Sequence, residues 1–234
     1  FKQSVKIVLF ATIINPSNHQ IRTEYARALY NVKDLQKAFL VYEDLIEKNK
    51  NDTQLKLEFC WKLLAIKDTK KITKIFKTIK NKSSLKDTVI LKGLVKFHEN
   101  KINEAIKIFL EALELDNDNS TIYSFLAICH EKKLNYNEAK SLHEKALKIQ
   151  PANLVALKNF ADYYYFVGEI DNAEKVYLKI LELNKAHIDC RYSLSLIQLH
   201  KNNFKDGWQN YKYRWLSPSF NTKEKQLKLP LFKN

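Results

Sequence analysis

With 234 residues, 45% of them hydrophobic, the chain is long enough to bury a sizeable core, and a single elongated repeat domain accounts for its length. It holds only three glycines, which argues against a GxGxxG or GxxxxGK phosphate loop, and three scattered cysteines with no CxxC pair, which argues against a disulfide framework or a metal-ligand spacing. The formal net charge of +14 is uneven: residues 62–82 carry about +7 and residues 201–234 about +6, while residues 83–200 are close to neutral.

The chain reads as repeats of about 34 residues, each predicted to form two amphipathic helices joined by a short turn. Residues 1–18 read as a partial repeat, whose residues 1–16 form a second helix with Ala11 and Pro16 in its last marker positions, so the chain begins in mid-repeat, as a fragment would. The next repeat, near 19–52, carries Tyr25, Ala26, Ala38 and Tyr42; in 53–85, Ile72 replaces a small residue and predicts less regular packing. In 86–119, 120–153, 154–187 and 188–216 small residues recur at Ala105, Ala139, Ala173 and Gly207. Four residues on, the column reads Phe109, His143, Tyr177 and Tyr211, and a third column reads Ala112, Ala146 and Ile180. In 154–187 the helices are predicted over 154–166 and 170–183, with Gly168 in the turn and Asp171 and Asn172 capping the second helix. Pro151 closes the helix before. Phe204, Trp208, Tyr211 and Trp215, spaced i, i+4, i+7 and i+11, predict one aromatic stripe on a helix, and 217–234 form an extension or linker.

No helix of such a pair can bury its apolar stripe alone, so the pattern predicts an all-α stack offering a binding surface rather than a catalytic cleft. Over about residues 1–215 it resembles the tetratricopeptide repeat. That family places a large residue at position 4, small residues at 8, 20 and 27, an aromatic at 24 and proline at 32. Block 120–153 matches at Tyr123, Ala127, Ala139, Ala146 and Pro151, with His143 in the aromatic slot. Block 154–187 matches at Leu157, Ala161, Ala173 and Tyr177 and departs at Ile180 and Lys185. The resemblance implies a right-handed superhelical solenoid of antiparallel helix pairs, with the first helix of each pair lining the concave face.

The residues so placed are a mixed polar and aromatic set suited to an extended peptide: Lys158, Asn159, Asp162, Tyr165, Phe166 and Tyr192, with Ser124 and Ile128 from the block before. A solvated concave surface with no dedicated ligand is the bland alternative. Family members that clamp a C-terminal carboxylate do so with Lys and Asn; here Asp162 stands where Asn is wanted and would repel the ligand. The asparagine ladder of protein O-GlcNAc transferases is met only by Asn159, in a column reading Glu24, Glu58, Leu91, Phe125, Asn159 and Ser193.

The segment 204–215 resembles the last repeat of bacterial tetratricopeptide proteins that continue into a glycosyltransferase-like domain. Its matching residues are Phe204, Gly207, Trp208, Tyr211, Arg214 and Trp215, with Leu229 to Phe232 as the start of a following strand. The resemblance implies a non-catalytic arm of a longer enzyme. Phe204, Trp208, Tyr211, Arg214 and Trp215 then form a terminal interface, and the partner is a protein, a peptide or a C-terminal domain of the same polypeptide. A free-standing adaptor is the alternative.

Neither catalytic residues nor a metal or other cofactor are expected: the six histidines form no HExxH and no nucleophile set. RNA binding through the 62–82 lysines is a rival reading, although a lysine run on a helix is more often a solvated face. No apolar run reaches the length of a membrane span, about 20 residues, and no secretory signal is visible, so a cytoplasmic protein away from membranes is expected.

Overall fold

The 34-residue period resolves into antiparallel helix pairs. A computed structural model describes residues 2–79 and 85–217, which hold thirteen α-helices and no strand. The first five are α1 (Lys2–Ile14), α2 (His19–Asn31), α3 (Leu35–Lys48), α4 (Thr53–Ala65) and α5 (Thr69–Phe76). After α6 (Leu85–His98) come α7 (Ile102–Leu115), α8 (Ser120–Lys132), α9 (Tyr136–Ile149), α10 (Leu154–Phe166), α11 (Ile170–Leu183), α12 (Ile188–His200) and α13 (Phe204–Tyr211). The helices expected over 154–166 and 170–183 are α10 and α11. The chain divides into two units, the first ending at Leu91 and the second starting at Lys92.

In the first unit α1 packs on α2, α2 on α3, α3 on α4 and α4 on α5. Its core holds Ala26, Ala38, Tyr42, Leu45, Phe59, Cys60, Leu63 and Ile72, all buried, with the Tyr42 and Phe59 rings stacked 5.0 Å apart. The bulk of Ile72, in a column otherwise small, goes with a second helix, α5, of only 8 residues. Lys56 occupies the large-residue position, its stem in the core, and its Nζ donates to the carbonyls of Lys50 (2.6 Å) and Thr78 (3.1 Å). A buried ammonium is tolerable only with such acceptors, and these lie just beyond the C-terminal ends of α3 and α5, where helix carbonyls favour a cation.

In the second unit consecutive helices from α7 to α13 pair in the same way, and α8 also touches α10. Its largest cluster joins Leu157, Ala161, Ala173, Tyr177, Ile180, Cys190, Leu194 and Ile197. The small column lets paired helices approach: Ala105, Ala139 and Ala173 are fully buried, and a Cβ on Gly207 would lie 2.7 Å from the Leu199 side chain. At Gly93, a Cβ would collide with the Phe109 ring.

Two backbone devices recur in register. The first helix of each pair ends on a left-handed residue, Lys33, Lys67, Asn100, Leu134, Gly168 or Asn202. The next N–H then bonds back five residues, as Asn135 does to His130 and Glu169 to Tyr164. The residue before five of the first helices, α2, α4, α8, α10 and α12, accepts a bond from the helix's first turn: Asn18 from Ile21, Asp52 from Leu55, Asn119 from Ile122, Asn153 from Val155 and Ala156, and His187 Nδ1 from Cys190. The expected caps of α11 are corrected. Glu169 holds the cap position without a side-chain bond, Asn172 donates to Glu169, and Asp171 pairs with Lys201 of the following turn. The aromatic stripe is corrected too: the α-helix stops at Tyr211, and Lys212–Trp215 form a 3-10 turn, whose three residues per turn rotate Trp215 away from the line of Phe204 and Trp208.

Candidate functional groove

Within the second unit, the first helices α8, α10 and α12 come from three consecutive repeats, and with Tyr177 of α11 they frame a cavity of about 310 Å³. Its walls are Glu131 from the end of α8, Asp162, Tyr165 and Phe166 from α10, and Ser193 and Leu196 from α12. Phe166 is braced from behind by the Tyr136 ring, 6.0 Å away.

The buried aromatic column is tied to this surface by hydrogen bonds. The Tyr177 hydroxyl donates to Asp162 Oδ1 at 2.5 Å, and burial followed by the Asp162 charge pushes its ionisation up, so it stays a donor. His143, fully buried, lies 2.8 Å through Nε2 from Glu131 Oε1. A carboxylate only accepts, so that nitrogen carries the proton. Lys158 Nζ reaches both oxygens of Asp162, at 2.6 and 2.5 Å.

Of the residues expected in the groove, Asp162, Tyr165 and Phe166 line the cavity. Lys158 is held against Asp162, and the Asn159 amide donates to Ser124 Oγ at 2.8 Å. Ser124 is fully buried and so lies beneath the surface, while Ile128 is half-buried outside the cavity wall. Tyr192 packs on Tyr211 with ring centroids 5.8 Å apart. Glu131, Ser193 and Leu196 complete the wall, and only the fold reveals that they converge. Tyr177 enters the sequence pattern only as a member of the aromatic column; the acid fifteen residues earlier, Asp162, is the signal that ties it to the groove.

The first unit repeats the device. Tyr42 donates to Glu58 Oε1 at 2.6 Å, and Arg27 grips Glu58 through Nε at 2.8 Å and Nη2 at 2.5 Å while also reaching Glu24. Burial raises the Glu58 pKa, but the bonds from Arg27 and Tyr42 outweigh it and hold the carboxyl below its ordinary range. Glu24, Arg27 and Glu58 border a smaller cavity of about 210 Å³.

At the end of the second unit, Arg214 lies over both the Tyr211 and Trp215 rings, 4.1 and 4.2 Å from their centroids. Phe204 and Trp208 remain 56% and 61% exposed. The terminal residues thus split into a stacked trio and an exposed pair. In the lysine-rich segment, Lys62 lies 4.6 Å over the Tyr30 ring and Lys71 pairs with Glu43, whereas Lys70, Lys74 and Lys77 face solvent. Lys80, Lys82 and residues 218–234, including Leu229 to Phe232, lie outside the described residues. Cys60, Cys129 and Cys190 are free and buried, and burial pushes each thiol up to about 12, so none is a ready nucleophile. No helix among the described residues is long and apolar enough to cross a membrane.

Residues 87–119 and 157–187 match the family model of the tetratricopeptide repeat. The chain contains tetratricopeptide repeats. It is similar to the TPR repeat-containing protein YsoA of Bacillus subtilis, 38% identical over 64 residues, 27% of this chain and 19% of that protein. Similarity to the uncharacterized protein ycf37 of Pyropia yezoensis is 34% over 82 residues, 34% of this chain and 46% of the relative. With the human protein O-mannosyl-transferase TMTC3 it shares 29% identity over 131 residues, 55% of this chain and 14% of that protein. The chain thus spans less than half the length of these relatives. Tetratricopeptide repeats generally mediate protein–protein contacts and are typically non-catalytic, which gives this chain the character of an interaction scaffold.

Proposed function

We propose that the second unit binds an extended peptide across α8, α10 and α12. The observation that carries this reading is the cavity itself, where side chains of three successive repeats meet around two carboxylates and two exposed rings. Phe166 is 67% exposed and Tyr165 40%, so both are free to act as anchors without being needed for the core. Peptides selected by display on the whole chain test it. Tyr165→Ala and Phe166→Ala should each weaken their binding by about tenfold, a loss of ~1.4 kcal/mol, with the melting temperature unchanged. Selected peptides that bind both variants as tightly as the parent would place the site elsewhere.

We further propose that the chain serves as the recognition arm of a glycosyltransferase-like protein, over a repeat region 1–216 followed by a linking segment 217–234. The similarity to a protein named as an O-mannosyl-transferase supports this, as does the exposed Phe204–Trp208 pair, an apolar face ready for a following domain. Reading the source gene beyond Asn234 tests it: a transferase-like coding region is expected, and an immediate stop codon would leave a free-standing adaptor.

A further inference from the structure

Glu131 differs from Asp162, the other acid of the groove. One of its oxygens accepts from His143, while the other takes no hydrogen bond among the described residues. Its side chain is only 20% exposed. Asp162 beside it is already served by Lys158 and Tyr177. The cavity is therefore lined by a carboxylate that has one oxygen without a hydrogen bond among the described residues, and by the Tyr165 and Phe166 side chains. A carboxylate that keeps only part of its exposure is less well hydrated than a free one, and a donor delivered by a ligand supplies a bond it does not have. The exposed faces of Tyr165 and Phe166 are electron-rich and attract a cation as well as apolar stems.

Resting on the groove reading above, we infer that this cavity receives a cationic side chain, an arginine or lysine of the bound peptide. Its charged head pairs with Glu131 and its methylenes lie against Tyr165 and Phe166. Lys158 does not fill this role from within, because its ammonium is committed to Asp162 one turn along α10. The volume of about 310 Å³ admits a long basic side chain as well as a ring, so charge rather than size sets the preference.

The test uses the whole chain and three small probes: the acetylated, methylamidated forms of arginine, lysine and citrulline, the last a neutral copy of arginine. Titrations followed by amide NMR should shift Ser193 and Leu196 with arginine and lysine, and citrulline should need about tenfold more probe. Glu131→Gln, which keeps an acceptor for His143, should bring arginine down to the level of citrulline while leaving the melting temperature in place. Equal shifts by all three probes, or none by any, overturn the cationic preference, as does an unchanged arginine titration in Glu131→Gln. Failure of the groove itself is read separately, from display-selected peptides that ignore Phe166→Ala.

Discussion

Gly168 holds φ at +85°, while the residues in the same place of the neighbouring repeats, Leu134 and Asn202, hold 63° and 62° despite carrying side chains. A Cβ at 168 would meet nothing within 4 Å, so any cost of substitution there is backbone strain alone. Gly168→Ala is expected to lower stability by about 1 kcal/mol, and Leu134→Gly to raise it by a few tenths or more, since an L-residue in the left-handed region costs ~1–2 kcal/mol and glycine recovers part of that against its larger unfolded entropy. Urea midpoints at constant slope would measure both; a neutral Gly168→Ala would mean that the turn shifts out of the left-handed region. Lys56 makes a second case at this scale. Removing its ammonium strands the Lys50 and Thr78 carbonyls it caps, so Lys56→Met should destabilise the first unit by about 1–3 kcal/mol although the aliphatic volume is kept. A more stable Lys56→Met would show that the desolvation of the buried ammonium outweighs its two bonds.

Among the helices, α12 has the unusual start. Its cap is a histidine where α2, α8 and α10 use asparagine and α4 aspartate, and the bond from the Cys190 N–H requires Nδ1 to be unprotonated. Burial, the leading cause, lowers the His187 pKa below its ordinary value, with Lys158 acting in the same direction and Asp189 and Asp162 opposing. For a folded pKa below the unfolded one, the unfolded chain takes up the proton first as pH falls. The stabilisation is therefore complete above the unfolded value, near about 6.5, and is lost as pH drops through the lower folded value. The melting temperature should fall between about pH 7 and pH 5 more steeply for the parent than for His187→Asn, whose amide caps without titrating. Parallel curves would mean that His187 does not govern the start of α12. These caps also measure what the sequence could reveal. The 34-residue phase, the small column and the bounds of α10 and α11 are legible because each reports local periodicity. The cap column is equally periodic but falls on the last residue of the preceding block, while Asp171 and Asn172 are short polar residues at the start of α11 that cap nothing. Glu131 and Tyr177 were not legible as one site, because the residues they join are brought together by packing between repeats rather than by spacing within one.

Within each unit, contacts link helices to their near neighbours in sequence, so stability is a sum of local terms and not a property of one shared core. Ala173 tests that organisation. It is fully buried on α11, in the cluster that also holds Leu157, Tyr177 and Ile180. Ala173→Trp should destabilise this region by about 1–3 kcal/mol or more through overpacking. In a protein with one cooperative core, every helix would lose protection from hydrogen exchange together. With nearest-neighbour coupling, protection should drop first in α10, α11 and α12 while the amides of α2, α3 and α4 keep theirs. Uniform loss would show that the chain unfolds as one block. Loss confined to α10–α12 would also mean that the groove can be loosened or tightened by its own repeats. A peptide seated on Tyr165 and Phe166 should then restore protection to those helices, because it binds only their folded arrangement.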